Sequence, residues 1–162
     1  MDEYRIIAAL VRHYWRVDWP VMINNVYIFG ENESDFIAVS KAGLIYEFEI
    51  KTTKSDFKKD AAKKRNRNFA LGLDAERGPN KFLYVVPNGL IVDVPEYAGL
   101  VYALKANDFG LCLTTVKPGP YLHRVKFEDN PARKKIMQKV SWRHTELLYS
   151  KCRREEDNHE LP

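Results

Sequence analysis

Two charged residues at the end of a strand-like run give this sequence its clearest potential for chemistry. Glu49 and Lys51 close the run 43–51, and residues two apart on a strand share one face. Asp35 opens an earlier strand-like run, 35–40. Two carboxylates beside an ammonium group suit Mg²⁺ or Mn²⁺, because hard cations of this kind take carboxylates together with waters and phosphate oxygens. The spacing therefore predicts metal-dependent chemistry on a phosphate substrate.

A short loop between the two runs predicts how Asp35 reaches the same face. Residues 41–43 read as a three-residue hairpin loop whose glycine takes the left-handed conformation. If Ser40 pairs with Leu44, counting outward along the two strands sets Asp35 opposite Glu49. Directly opposed residues of an antiparallel pair project to the same side. The hairpin therefore brings both carboxylates to the lysine.

The same register leaves a second explanation open. It sets Glu33 opposite Lys51, so this face could be a solvated ladder of ion pairs, each contributing about 0.2–1 kcal/mol. A pattern as short as Glu-x-Lys also recurs by chance in strands. If the site is catalytic, Asp35 and Glu49 help to hold a cation, whereas Lys51 orients the attacking water and offsets charge on a scissile phosphate.

Positive charge is concentrated in the segment that follows this cluster. Residues 54–67 include seven basic and two acidic residues, a local charge of +5, whereas the whole chain carries +4. Neutralising backbone phosphates releases counterions and gives affinity that does not depend on base sequence. The segment therefore predicts DNA binding through its basic side chains, namely Lys54, Lys58, Lys59, Lys63, Lys64 and Arg67.

The basic segment also reads as a helix. Thr53 and Asp56 resemble a capping box, so the helix should begin near them and run toward Leu71. Basic residues recur at every fourth position of one face, which gives a ridge able to follow a phosphate backbone. The alternative is a solvated helix laced by ion pairs such as Asp60 with Lys64. A second basic cluster offers another surface on the final helix: Arg133, Lys134, Lys135, Lys139 and Arg143.

Periodicity and turn signals define the remaining elements. Residues 2–16 form an amphipathic helix whose apolar stripe includes Glu3, where an acid commonly complements the helix dipole. A nearly continuous apolar run, 81–86, predicts a strand buried on both faces. Further strands are predicted at 22–29, 100–104, 111–116 and 121–126, the last two forming a hairpin, and a final helix begins at Asn130 and Pro131 with Ile136, Val140, Trp142 and Leu147 on its apolar side.

Length and composition predict one domain over residues 1–152 and a flexible tail over 153–162. A chain of 162 residues with 45% hydrophobic content can bury a sizeable core without crosslinks. Cys112 and Cys152 have neither disulfide nor zinc-ligand spacing. The acidic start, in place of a basic region, and the lack of a long apolar run predict a cytoplasmic protein that is not bound to a membrane.

An Asp on one strand, Glu-x-Lys on the next and then a helix resemble the PD-(D/E)xK nuclease superfamily, whose core is a mixed sheet with flanking helices. Within that superfamily, the run 49–60, followed by 81–87 and 98–101, is similar to the MmcB-like DNA repair proteins. The similarity extends from about Val26 to Leu104.

The resemblance implies roles for particular residues. Asp35 and Glu49 become metal ligands, and Lys51 becomes the catalytic lysine. Glu3 becomes a candidate for a further metal-site acid, since some members of the superfamily bring one from the first helix. Ser34 departs from the pattern, because it stands where the superfamily's name has proline.

Together these features predict an α/β (α+β) fold: a restriction-endonuclease-like mixed β-sheet flanked by helices, in the order α-β-β-β-α-β-β, with an added β-hairpin and a long C-terminal helix. The predicted function is Mg²⁺-dependent hydrolysis of DNA phosphodiesters in DNA repair or DNA processing. Two alternatives stay open. One is a non-catalytic DNA-binding or repair-accessory module that serves a repair-protein partner, and the other is a structural domain whose charged strand face is only solvent-exposed.

Overall fold

The computed structural model describes residues 1–29, 33–60, 68, 77–106 and 110–159, with side chains described as far as residue 150. The described part has a mixed α/β architecture and contains the predicted order α-β-β-β-α-β-β. Its elements are α1 (Glu3–Arg16), β1 (Val21–Val26), β2 (Ser34–Val39), β3 (Ile45–Ile50), α2 (Lys54–Asp60), β4 (Lys81–Pro87), β5 (Ala98–Ala106), β6 (Gly110–Lys117) and α3 (Arg133–His159).

The strands of the described ranges form one mixed sheet in the order β1-β2-β3-β4-β5-β6. β1, β2 and β3 are antiparallel neighbours, β3, β4 and β5 run parallel, and β6 returns antiparallel to β5. Parallel neighbours need a crossover connection, and α2 lies in the connection from β3 to β4. The start of α2 therefore lies at the end of the sheet where β3 ends.

The predicted hairpin between β2 and β3 is confirmed. Gly43 has φ of 69°, a left-handed conformation that glycine adopts without steric cost. The Ser40 N–H donates to the Leu44 carbonyl at 2.9 Å, which closes the loop as expected. The pairing continues through Ile37 opposite Glu47 as far as Phe36 opposite Phe48.

Helix α1 covers one face of the sheet. Its first turn is capped by Asp2, whose Oδ1 accepts from the Arg5 N–H at 3.0 Å. Alternate residues of each strand share a face, so every second residue of the central strands packs against this helix. The cluster includes Ile6 and Leu10 of α1, Phe36 and Ala38 of β2, Phe48 and Ile50 of β3, and Leu83 and Val85 of β4. Burial of this cluster holds the start of α1, which includes Glu3, beside the sheet.

The opposite face of β3 carries acids within an apolar surface. Ile136 of α3 packs on this face against β1, β2 and β3. Phe57 of α2 meets the ring of Tyr84 edge-on, with centroids 4.9 Å apart. On the same face Glu47 and Glu49 are only 0% and 1% exposed. A buried carboxylate is unfavourable unless it is paired or hydrogen bonded, so this part of the sheet is a polar site within the fold.

The predicted second hairpin is wrong in its second strand. β6 pairs with β5, whereas residues 121–126 have no strand conformation. Asn80 gives the physical reason, because its Nδ2 donates to the carbonyls of His123 at 3.2 Å and Val125 at 2.9 Å. The Asn80 carbonyl also accepts from the Leu122 N–H at 2.9 Å. These bonds satisfy the backbone of the segment without a strand ladder.

Helix α3 is longer than predicted and packs over less of its length. It continues to His159, past the expected boundary between residues 152 and 153. Ile136 is fully buried, but Trp142 and Leu147 are each 65% exposed, so their predicted place on an inward apolar side is wrong. Among the α3 side chains that are described, Ile136 and Val140 near the start of the helix pack against the apolar cluster of β1, β2 and β3. Among the described residues, no helix has both the length and the apolar content needed to cross a bilayer.

Candidate active site

Asp35 lies where the pairing of β2 with β3 ends. One step beyond the pair of Phe36 with Phe48, the predicted register sets Asp35 level with Glu49, and here the Ile50 N–H donates to Asp35 Oδ2 at 2.6 Å. The next amide of β3, that of Lys51, donates to the Val85 carbonyl of β4 at 3.0 Å. Successive amides of a strand point to opposite neighbours, so the Asp35 carboxylate takes the acceptor position on the β2 side. This bond holds Asp35 at the end of β3.

Glu49 and Lys51 form a buried ion pair, as the spacing predicted. Lys51 Nζ lies 2.7 Å from Glu49 Oε1. The Lys51 side chain is 11% exposed and the Glu49 side chain is 1% exposed. This burial contradicts the alternative of a solvated ladder, in which water would screen the charges. The face is instead a desolvated cluster, where charge–charge interactions are stronger than at the surface.

Asp60 is a member of the cluster that sequence analysis missed. Its Oδ1 lies 3.6 Å from Lys51 Nζ, and its Oδ2 accepts from the Tyr84 hydroxyl at 2.7 Å. The sequence pattern suggested an exposed acid paired with Lys64, which lies outside the described residues, but Asp60 is 1% exposed. Phe57 and Asp60 lie three apart on α2 and therefore share its inner face. This spacing was the feature of the sequence that could have predicted an inward-facing Asp60.

A cavity of about 310 Å³ opens beside this cluster. Glu3 from the start of α1 lines it, so the first helix does bring an acid to the site. Elements from both sides of the sheet therefore converge on one opening. The lining residues are Glu3, Asp35, Ile50, Lys51, Thr52, Asp56, Lys59 and Asp60.

The ionisation of Asp35 is controlled by its burial and by the charges around it. The pKa of Asp35 is raised from 3.8 to about 7, chiefly by burial and then by the charges of Glu49 and Glu3. The Ile50 N–H and the Lys51 ammonium group oppose this rise in pKa. A cation beside Asp35 and Glu49 would offset both the cost of burying the Asp35 charge and its repulsion from Glu49.

The donor set fits Mg²⁺ or Mn²⁺. Asp35 and Glu49 offer hard carboxylate oxygens, which both ions prefer. In the described part of the chain no group of three His, Cys, Asp or Glu side chains has the arrangement of a metal site. A site of two protein carboxylates, completed by water and phosphate oxygens, is usual for Mg²⁺.

The beginning of the predicted basic helix is confirmed. Thr53 Oγ1 donates to Asp56 Oδ2 at 2.7 Å and accepts from the Asp56 N–H at 3.2 Å, as a capping residue does. Lys54, Lys58 and Lys59 are exposed on α2, and Lys59 also lines the cavity. The predicted DNA-binding residues Lys63, Lys64 and Arg67 lie outside the described residues, as does Leu71, toward which the helix was expected to run.

Comparison with known proteins gives a structural likeness without a functional one. No protein-family model and no curated protein matches the chain. A protein of unknown function from Silicibacter pomeroyi has a similar structure, with a TM-score of 0.66 and 16% sequence identity. The match covers 100% of this chain and 96% of that protein. At this identity the likeness establishes a shared fold, a mixed sheet flanked by helices, over nearly the whole of both chains.

Proposed function

We propose that this protein is a metal-dependent nuclease of the PD-(D/E)xK type, with a restriction-endonuclease-like fold, that hydrolyses DNA phosphodiesters in repair or processing. The observation that carries the proposal is the buried contact of 2.7 Å between Lys51 and Glu49 at the edge of a cavity that Asp35 also lines. Asp35 also has a strongly raised pKa and lines this cavity, a combination that supports a functional role. Asp35 and Glu49 are the proposed metal ligands, and Mg²⁺ or Mn²⁺ is the proposed cofactor.

In the proposed reaction a water oxygen loses a proton to solvent and bonds to phosphorus, while the bond from phosphorus to the leaving sugar oxygen breaks and that oxygen takes up a proton from solvent. Bound Mg²⁺ would supply Lewis acidity toward the phosphate. Lys51 donates hydrogen bonds that orient the water and offset negative charge growing on the phosphate oxygens. Its low exposure keeps this charge unscreened, because little solvent surrounds the ammonium group.

The placement of α2 supports DNA as the substrate. Lys54 and Lys58 are exposed on the helix that begins three residues after Lys51, and Lys59 lines the cavity itself. Lysine side chains beside a phosphodiester site bind the flanking backbone phosphates without reading bases. We therefore place the DNA backbone along the exposed side of α2, with the scissile phosphate at the cavity.

The direct test is incubation with single-stranded, duplex, flapped and branched DNA in Mg²⁺ or Mn²⁺. Cleavage should occur with either ion in at least one substrate class and should stop when EDTA is added. Asp35→Asn and Glu49→Gln should each abolish cleavage, because one carboxylate holds the ion poorly. Lys51→Met should still bind the ion, measured by calorimetry, but should turn over slowly.

The matched control is Glu47→Gln. Glu47 lies on the same strand and is equally buried, but its Oε1 accepts from Ser34 Oγ at 2.6 Å, whereas Glu49 Oε1 lies 2.7 Å from Lys51, which lines the cavity. Glu47→Gln should retain most of the cleavage activity. Loss of activity equal to that in Glu49→Gln would show that the metal ligand was assigned to the wrong acid.

A second candidate function is a non-catalytic DNA-binding or repair-accessory module. The observation that favours it is that Lys51 already neutralises Glu49 at 2.7 Å, so the described cluster has an internal cation. Such a module would bind DNA with strong salt dependence and assist a repair-protein partner. Salt-sensitive DNA binding, with no cleavage of any of the four DNA forms in either metal ion, would select this function.

A further inference from the structure

Lys51 is held from two sides by groups on different elements. β3 provides Glu49, whose Oε1 lies 2.7 Å from Lys51 Nζ, and α2 provides Asp60, whose Oδ1 lies 3.6 Å away. A lysine has a long flexible stem and a compact ammonium group, so a single contact leaves it several accessible positions. Two carboxylates on separate elements restrict the ammonium group to the space between the sheet and the helix.

Asp60 is in turn fixed by Tyr84. The Tyr84 hydroxyl donates to Asp60 Oδ2 at 2.7 Å, and Tyr84 is the direct neighbour of Glu49 on the adjacent parallel strand. Burial, together with the hydrogen bond to Asp60 and the Asp60 charge, raises the pKa of Tyr84 above its ordinary value. The hydroxyl therefore stays protonated at neutral pH and remains a donor. Phe57 packs against the Tyr84 ring and limits its movement.

We infer that Asp60, held by Tyr84, is a positioning residue that fixes the ammonium group of Lys51 at the cavity. Asp60 acts through the lysine, and Tyr84 acts through Asp60. The catalytic consequence of this inference rests on the proposed function, whereas the restraint on Lys51 can be measured in the absence of DNA and metal.

Two variants test separately the contact of Asp60 with Lys51 and the contact of Tyr84 with Asp60. Asp60→Asn keeps the side-chain shape and an acceptor for Tyr84 but removes the charge that attracts Lys51. Tyr84→Phe removes only a hydroxyl group, so it remains informative if Asp60→Asn does not fold. Tyr102→Phe is the matched control, because Tyr102 packs against the same apolar cluster as Tyr84.

The first measurement is the rate at which acetic anhydride acetylates each lysine in the intact protein, followed by mass spectrometry. Lys51 should react slowly, while the exposed Lys54 and Lys58 serve as internal references. In Asp60→Asn the rate at Lys51 should rise about tenfold, as expected when the ammonium group loses its ion pair with one of two buried carboxylates. Tyr84→Phe should give a smaller rise in the same direction. Tyr102→Phe should leave the ratio of rates unchanged.

The second measurement is the kinetics of DNA cleavage. Asp60→Asn should lower kcat about 10- to 100-fold through misplacement of Lys51, with KM for DNA nearly unchanged. Unchanged acetylation of Lys51 in both variants would overturn the inference, and so would faster acetylation with normal kcat. Absence of cleavage by the wild-type protein would count against the proposed function, while the acetylation ratios would still decide whether Asp60 restrains Lys51.

Discussion

At the residue scale, Asp35 accepts a hydrogen bond that supports β3, but its charged form is disfavoured by burial and by Glu49. Its Oδ2 completes the hydrogen bonding of β3, yet burial and the charge of Glu49 raise its pKa from 3.8 to about 7. The folded protein therefore binds this proton more tightly than the unfolded chain does. The stabilising contribution of protonated Asp35 is present below about pH 4 and is lost as the pH rises to about 7.

The raised pKa of Asp35 leads to a prediction for Asp35→Asn in the metal-free protein. The substitution should increase the free energy of unfolding at pH 8 by about 1–3 kcal/mol, less than the full pKa difference implies because Asp35 is partly exposed. At pH 4 it should have little stabilising effect. Urea unfolding at both pH values in EDTA measures the difference, with the exposed Asp129→Asn as a control. Equal effects of Asp35→Asn at both pH values would contradict the raised pKa.

Another prediction at this scale concerns Ser34, at the start of β2. Ser34 is fully buried, and its Oγ donates to Glu47 Oε1 at 2.6 Å. Ser34→Ala should lower the free energy of unfolding by about 1–3 kcal/mol, because a buried carboxylate loses a donor. Ser55→Ala, at an exposed position of α2, is the matched control. Denaturant unfolding decides the matter, and equal effects in the two variants would show that the bond contributes little.

At the element scale, the short helix α2 has two faces with different roles. Phe57 and Asp60 face the sheet, whereas Lys54, Lys58 and Lys59 face solvent. The inner face contributes to the site, and the outer face is the proposed contact for the DNA backbone. The two faces should therefore give different signatures on mutation.

The exposed face of α2 should control the salt dependence of DNA binding. The double variant Lys54→Gln and Lys58→Gln should lower the slope of log K against log salt on duplex DNA by about 0.9 for each lost phosphate contact. Turnover at saturating DNA should change much less than affinity, because neither residue lines the cavity. Titrations at several salt concentrations provide the slope.

The matched variant is Lys135→Gln with Lys139→Gln, two exposed lysines of α3. If the slope falls in this variant and not in the α2 variant, the DNA-binding surface lies on the final helix. An unchanged slope in both variants would mean that neither helix binds the backbone.

At the scale of the whole molecule, Asn80 ties the chain after β6 to the central sheet. Its Oδ1 accepts from the Ile45 N–H at 2.7 Å, while its Nδ2 donates to the Val125 carbonyl at 2.9 Å. The residue is fully buried, so water cannot replace these partners. One side chain thus joins β3, the start of β4 and the segment that leads to α3.

Asn80→Ala should therefore destabilise the whole fold and not only one loop. We expect a decrease of about 2–4 kcal/mol in the free energy of unfolding, since several buried backbone groups lose their partners. Hydrogen exchange should become faster at the Ile45 amide, which is on the sheet and far from residue 80 in sequence. Asn88→Ala, at an exposed turn position, serves as the control. Normal stability in Asn80→Ala would show that the segment after β6 folds independently of the sheet.

Local patterns in the sequence determined much of the site. A left-handed glycine fixed the register of the β2–β3 hairpin, and residues two apart on a strand necessarily share a face, so the contact of Glu49 with Lys51 followed from spacing. The capping box at Thr53 likewise set the start of α2. These features depend on a few neighbouring residues, for which the sequence carries all the relevant information.

Tertiary packing decided the properties that depend on distant residues. The sequence could not show that Glu49 is desolvated, that Asp60 points inward to Tyr84, or that Trp142 and Leu147 face solvent, because burial is set by which elements lie on top of one another. The supposed strand at 121–126 was lost for the same reason, since Asn80 supplied its hydrogen bonds from more than 40 residues away. Spacing within an element therefore placed the charges, whereas packing between elements determined which of them are buried together at the cavity.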